Sequence, residues 1–129
     1  MAKICLVEDD AMIRDILERI LKKIGHDVTT ATNGRQGLNA ANDQNFDLVI
    51  TDIIMPEVEG IEVIRTIKSK APETKIIAMS GGGRVGNTDF LKIAESLGAD
   101  AILYKPVTKS DFMAALDQCL PTAAAASGA

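Results

Sequence analysis

Short continuous apolar runs alternate along the chain with longer stretches of helical period. Residues 4–7 form an unbroken apolar run that stops at Glu8-Asp9-Asp10. From Ala11 to Ile24, the apolar residues Ile13, Ile16, Leu17, Ile20, Leu21 and Ile24 recur on one helical face. Arg14, Asp15, Glu18, Arg19, Lys22 and Lys23 lie opposite, and Gly25 closes the helix. Residues 28–31 are a short β-branched stretch, and residues 34–44 a weaker helix. Residues 46–50 read as another apolar strand, ending in Thr51-Asp52. Ile61, Ile64 and Ile67 mark the buried side of a third helix, and residues 75–79 a fourth strand that ends at Ser80 and three glycines. Residues 87–97 are helical, 101–104 a fifth strand and 108–120 a last helix. Thr108 with Asp111 three positions on has the form of a capping box.

Five strands thus alternate with five helices, and the strands are apolar throughout rather than every second residue. Strands buried on both faces are what a parallel sheet with helices on each side requires. Right-handed crossovers then favour an α/β doubly wound sheet. A chain of 129 residues is about one domain, and we expect it to occupy residues 1–120. Residues 121–129 read as a flexible Ala-rich tail.

Composition narrows the function. The net charge is −4 and no basic run exceeds Lys22-Lys23, so the domain lacks the basic face of a duplex reader. Phe46, Phe90, Tyr104 and Phe112 are too few for a base-stacking platform. The longest stretch without Asp, Glu, Lys or Arg is the twelve residues 118–129, well short of the about 20 that cross a bilayer. Acids at positions 8–10 interrupt any N-terminal signal core. Cys5 and Cys119 sit in apolar contexts without metal-ligand spacing, as buried thiols of a reducing cytosol do. The expectation is a small cytoplasmic domain with no nucleic-acid or membrane partner.

In an open α/β sheet, ligands bind beyond the carboxyl ends of the strands. Those ends carry Glu8-Asp9-Asp10, Asp52, Ser80 and Lys105-Pro106. A pair of carboxylates ~4 Å apart costs about 4 kcal/mol at an effective dielectric of 20. Proton uptake or a divalent cation relieves it. Hard oxygen ligands without nearby His or Cys suit Mg²⁺. A lysine and a hydroxyl at the same rim would hold the oxygens of a phosphoryl group, which makes this a phosphoryl-transfer site with one carboxylate as nucleophile.

The same residues carry a resemblance. VEDD at 7–10, DIIMP at 52–56, Ser80 after a strand and GADAILYKP at 98–106 resemble the receiver domain of response regulators of two-component signalling, of which the chemotaxis regulator (CheY-like) is the simplest. The motifs occur in order over residues 3–120, with Asp9 and Asp52 separated by 43 positions. The resemblance implies a flavodoxin-like (βα)5 sheet of order 2-1-3-4-5. It also implies a phosphorelay signalling module rather than an enzyme, charged by a histidine kinase or histidine phosphotransferase, with a surface that changes for a downstream protein. On it, Asp52 is the phospho-acceptor and Glu8 and Asp9 are the acidic pair. Mg²⁺ is held by Asp9, Asp52, the backbone carbonyl of Ile54 and waters, with Glu8 holding a water. Lys105 pairs with the phosphoryl group, Pro106 follows through a cis peptide, and Ser80 is the switch hydroxyl. Two positions depart from the family pattern. Ile102 stands where an aromatic is usual, and the Ser80–Lys105 spacing is longer than in the chemotaxis regulator, with the excess assigned to the four-glycine segment 81–86.

Plainer readings hold elsewhere. Asp10 is read as a helix cap, His26 as a structural residue, and Met12, Met55, Met79 and Met113 as core filler. The triple glycine lacks the G-K-[ST] of a Walker loop. A flavodoxin-like FMN carrier would share the fold class but needs aromatic stackers and a phosphate loop. Two arrangements remain: a single-domain relay, or the receiver of a longer DNA-binding transcriptional regulator with the Ala-rich tail as linker.

Overall fold

A computed structural model describes residues 2–53, 60–80, 92 and 94–120. Their elements run β1 (Lys3–Val7), α1 (Ala11–Ile24), β2 (Asp27–Ala31), α2 (Gly34–Asp43), β3 (Leu48–Asp52), α3 (Gly60–Lys70), β4 (Lys75–Ser80), β5 (Ala101–Tyr104) and α4 (Lys109–Cys119). Residues 94–97 are helical as well, within the stretch read as helix at 87–97. The expected tail, 121–129, lies outside the described residues.

The sheet has the order β2-β1-β3-β4-β5, and every neighbouring pair is parallel. This is the doubly wound, flavodoxin-like order expected. Side chains leave a strand on alternate faces, so each central strand feeds two cores. Ile4, Leu6, Leu48, Ile50, Ile77 and Met79 pack with Leu17 and Leu21 of α1 and Phe112, Ala115 and Leu116 of α4. Cys5, Val7, Val49, Ile76 and Ala78 pack with Val63, Ile64 and Ile67 of α3, with Leu38 of α2 at the margin. Burying a side chain as large as the fully enclosed Phe112 contributes about 1.5–3 kcal/mol. The edge strands β2 and β5 are only partly buried, which is why their apolar signal is shorter.

Helix ends follow local chemistry. Asp10 caps α1, its carboxylate accepting from the backbone N–H groups of Met12 and Ile13 at 2.9 and 3.1 Å. Gly25 ends α1 at φ 113°, a left-handed conformation that glycine adopts without Cβ strain. The Thr108 hydroxyl accepts from Asp111 N–H at 3.0 Å and starts α4.

The apolar stripe of α1 is wider than the face it buries. Leu17 and Leu21 are core, whereas Met12 is 73% exposed, Ile16 51% and Ile24 46%. Met12, in the first turn of α1, is therefore no core filler. Met79 is fully buried and Met113 packs partly against the core; Met55 lies outside the described residues. Cys5 and Cys119 are buried and free and belong to the two different cores. Burial pushes their thiols up to about 12 and about 11, so neither is a ready thiolate. His26 is half-buried, its Nδ1 accepting from Ala2 N–H at 3.1 Å, and burial lowers its pKa.

Candidate functional site

The parallel register brings the strand ends together. Val7 lies beside Thr51, Asp52 beside Met79, and Ser80 beside Tyr104. The residues at or just past those ends, Glu8, Asp52, Ser80 and Lys105, consequently share one rim of the sheet.

Each is held there by local backbone chemistry. Glu8 N–H donates to Ala31 O at 3.0 Å, the last bond between β1 and β2. Its carboxylate is fully buried, and Oε2 accepts from Asp10 N–H at 3.0 Å. Lys105 N–H donates to Ser80 O at 2.8 Å, fixing the residue after β5 to the end of β4. The Lys105-Pro106 peptide is cis, as the resemblance implied. Asp52 closes β3 and is buried. Behind it, Gly60 N–H donates to Ile53 O at 2.8 Å, and a Cβ at Gly60 would lie 1.9 Å from Asp52 O. Only glycine lets α3 start this close to the strand.

Lys105 is the hub. Its Nζ donates to Asp52 Oδ2 at 2.6 Å and lies 2.7 Å from Glu8 Oε1. Both contacts are short and charge-assisted, and the second holds the enclosed Glu8 carboxylate against the same ammonium. Burial is the largest influence on Glu8 and raises its pKa above the usual carboxylate range, against the opposing pull of Lys105. Burial also works against charge on Lys105, but its contacts with Asp52 and Glu8 outweigh that and leave its pKa raised. Lys105 stays cationic while Glu8 is ill-solvated as an anion.

Carboxylate oxygens of Glu8, Asp9 and Asp52 lie within 4.8 Å of one another, with Asp9 exposed and the other two buried. Three hard carboxylate donors without a nitrogen or sulfur ligand among them fit a divalent ion such as Mg²⁺. The Ile54 carbonyl expected to join them lies outside the described residues. Ser80 is buried, and its Oγ has no partner among the described residues. Ile102 is half-buried beside Ala78 and packs against the second core, while Tyr104 is 58% exposed. The glycine segment 81–86 lies outside the described residues.

Two residues of the site were not anticipated. Gly60 had no distinguishing signal, because its close approach to Asp52 O depends on how the chain returns from β3. Arg14, whose Nη1 donates to Glu8 O at 2.8 Å, was one of six charges on the polar face of α1.

Comparison with known proteins decides what carries this rim. The family model of the response regulator receiver domain matches residues 4–117. The chain belongs to that family. It is 32% identical over 125 residues to the response regulator receiver protein CpdR of Brucella abortus, covering 93% of this chain and 98% of CpdR. It is 37% identical over 107 residues to the transcriptional regulatory protein AfsQ1 of Streptomyces coelicolor, covering 83% of this chain but 46% of AfsQ1. The chain spans less than half the length of the transcriptional regulators it matches first. Among solved structures, a receiver domain protein from Clostridium thermocellum superposes with a TM-score of 0.84 at 31% identity, over 92% of this chain and 94% of that one. Chemotaxis protein CheY4 of Vibrio cholerae gives 0.81 at 27% identity, over 93% and 99%. This receiver domain is thus a signalling module of two-component systems, a class that accepts phosphoryl groups from histidine kinases. Among the described residues no helix is long and apolar enough to cross a membrane.

Proposed function

We propose that Asp52 accepts a phosphoryl group from a histidine kinase or histidine phosphotransferase, and that the change at the rim is then read by a downstream protein. The observation that carries this reading is the Lys105 ammonium, 2.6 Å from Asp52 Oδ2 in a buried setting with Glu8 and Asp9 alongside. In the transfer, an Asp52 oxygen forms a bond to phosphorus as the donor's phosphorus–nitrogen bond breaks. The imidazole leaves with the electron pair and takes up a proton. Lys105 neutralises charge on the phosphoryl oxygens and aligns Asp52, so the site acts by positioning and electrostatics. The buried Ser80 hydroxyl has a hydrogen bond to give a phosphoryl oxygen. Glu8, Asp9 and Asp52 would hold Mg²⁺, which supplies neutralisation of the transferring group's charge.

The receiver unit takes in residues 1–120 in this reading, and the buried free thiols favour a reducing, cytoplasmic setting. Its first form is a single-domain relay of the kind of CpdR. The partial coverage of AfsQ1 supports a second reading, the receiver of a longer DNA-binding regulator. Immunoblotting the native protein for its mass separates the two. For the site, intact-mass analysis after incubation with a small acyl phosphate should show one phosphoryl adduct that needs Mg²⁺ and is absent from Asp52→Asn. An adduct on the Asn variant under the same conditions would sink the assignment.

A further inference from the structure

We propose that Arg14 is a positioning residue for the acidic cluster: its guanidinium fixes the Glu8 carbonyl, and with it the peptide that presents Asp9. This rests on the reading of Glu8, Asp9 and Asp52 as the divalent-ion site.

The strand ladder of β1 ends with Glu8 N–H on Ala31 O, and the Glu8 carbonyl beyond it takes its hydrogen bond from Arg14 Nη1 at 2.8 Å. A peptide unit is planar, so holding the Glu8 C=O also orients the Asp9 N–H and the Cα that follows. Asp9 itself is exposed, and among the described residues no hydrogen bond or ion pair holds its side chain. Its placement within 4.8 Å of the buried Glu8 and Asp52 oxygens therefore depends on the backbone. Glu8 Oε2 on Asp10 N–H at 3.0 Å fixes the next peptide. Arg14 fixes the one before it.

The other charges of α1 behave differently. Arg19 pairs with Asp15 and Lys22 with Glu18, each one turn apart. Arg14 is likewise one turn from Glu18, the commonplace surface pairing, yet its head is half-buried against the backbone of the β1–α1 loop. A cation at the mouth of a cation site would do nothing to attract the ion. Its use is geometric. Groups that orient metal ligands from behind are worth about 10–100-fold in metal affinity.

The test titrates Mn²⁺ against wild type, Arg14→Met, Arg14→Lys and Arg19→Met, following the free-ion signal by electron paramagnetic resonance. Melting in chelator and the Mg²⁺ dependence of Asp52 phosphorylation are measured in parallel. Arg14→Met should weaken Mn²⁺ binding about tenfold and raise half-saturating Mg²⁺ equally, with the rate at saturating Mg²⁺ kept within about twofold. Arg14→Lys, which retains one donor, should recover part of the loss, and Arg19→Met should match wild type. Unchanged Mn²⁺ affinity in Arg14→Met overturns the proposal, as does a loss shared by Arg19→Met. If Arg14→Met does not fold, Arg14→Lys decides: affinity equal to wild type overturns it. A wild type that binds Mn²⁺ no better than Asp9→Asn shows instead that the metal-site reading has failed, and this proposal falls with it.

Discussion

Replacing Lys105 by Met keeps an unbranched apolar stem but removes the cation that Asp52 and Glu8 share. Their side chains are 7% and 0% exposed, so water cannot take over. Unit charges at the 4.8 Å outer separation of the cluster repel by about 3.5 kcal/mol at an effective dielectric of 20. Breaking a buried pair by removing one partner costs about 3–5 kcal/mol. Both routes give a loss of roughly 3–4 kcal/mol in chelator at pH 8, a large share of the about 5–15 kcal/mol of a typical domain. Proton uptake by Glu8 limits the loss. Burial raises its folded pKa, so the folded state binds protons more tightly than the unfolded chain. That contribution is fully present below the unfolded pKa and is lost as pH rises through the folded one. Without Lys105 the folded pKa rises further, and the penalty should shrink by about 1.4 kcal/mol for each pH unit removed below it. Urea unfolding at pH 8 and pH 6, with chelator or with Mg²⁺, reads all of this. Mg²⁺ should stabilise Lys105→Met more than wild type, because it replaces the missing positive charge. Equal stability of variant and wild type in chelator at pH 8, or a smaller Mg²⁺ gain in the variant, would refute the reasoning.

Asp9→Asn should raise stability in chelator by up to about 1 kcal/mol, screened because Asp9 is exposed, and should remove most of the Mg²⁺-induced rise in melting temperature; a lower melting point than wild type in chelator contradicts this. Gly60→Ala, whose Cβ would meet Asp52 O at 1.9 Å, should cost about 3 kcal/mol; a loss below about 1 kcal/mol in urea unfolding would mean that α3 shifts freely. Ser80→Ala deletes a buried hydroxyl without a partner and should leave the unphosphorylated domain as stable as wild type or up to about 1 kcal/mol more so; a clear loss of stability would reveal a partner for Oγ.

The sheet was legible because burial on both faces leaves an unambiguous mark. Ile4–Val7 and the apolar residues of β3 and β4 have no polar alternation to confuse them with edge strands, and the acid, hydroxyl and lysine that end the runs then fall on one rim by topology alone. The helix faces were less legible. Periodicity puts Ile16 and Ile24 on the same stripe as Leu17 and Leu21, but which of them is covered is decided only in the assembled molecule. Arg14 and Gly60 escaped for a related reason. Both act on backbone atoms, the carbonyls of Glu8 and Asp52, whose positions no residue identity announces.

Lys105 lies 53 positions beyond the Asp52 it contacts, and the chain between them must first lay β4 and then β5 beside β3. A chain still being made, or one clipped before β5, carries Glu8, Asp9 and Asp52 without the cation that Glu8 and Asp52 share. Its acids only repel one another. On the reading of Asp52 as phospho-acceptor, competence would therefore arrive with the final strand, and incomplete molecules would not draw phosphate away from finished ones. The pool open to a kinase would then be a count of fully assembled copies.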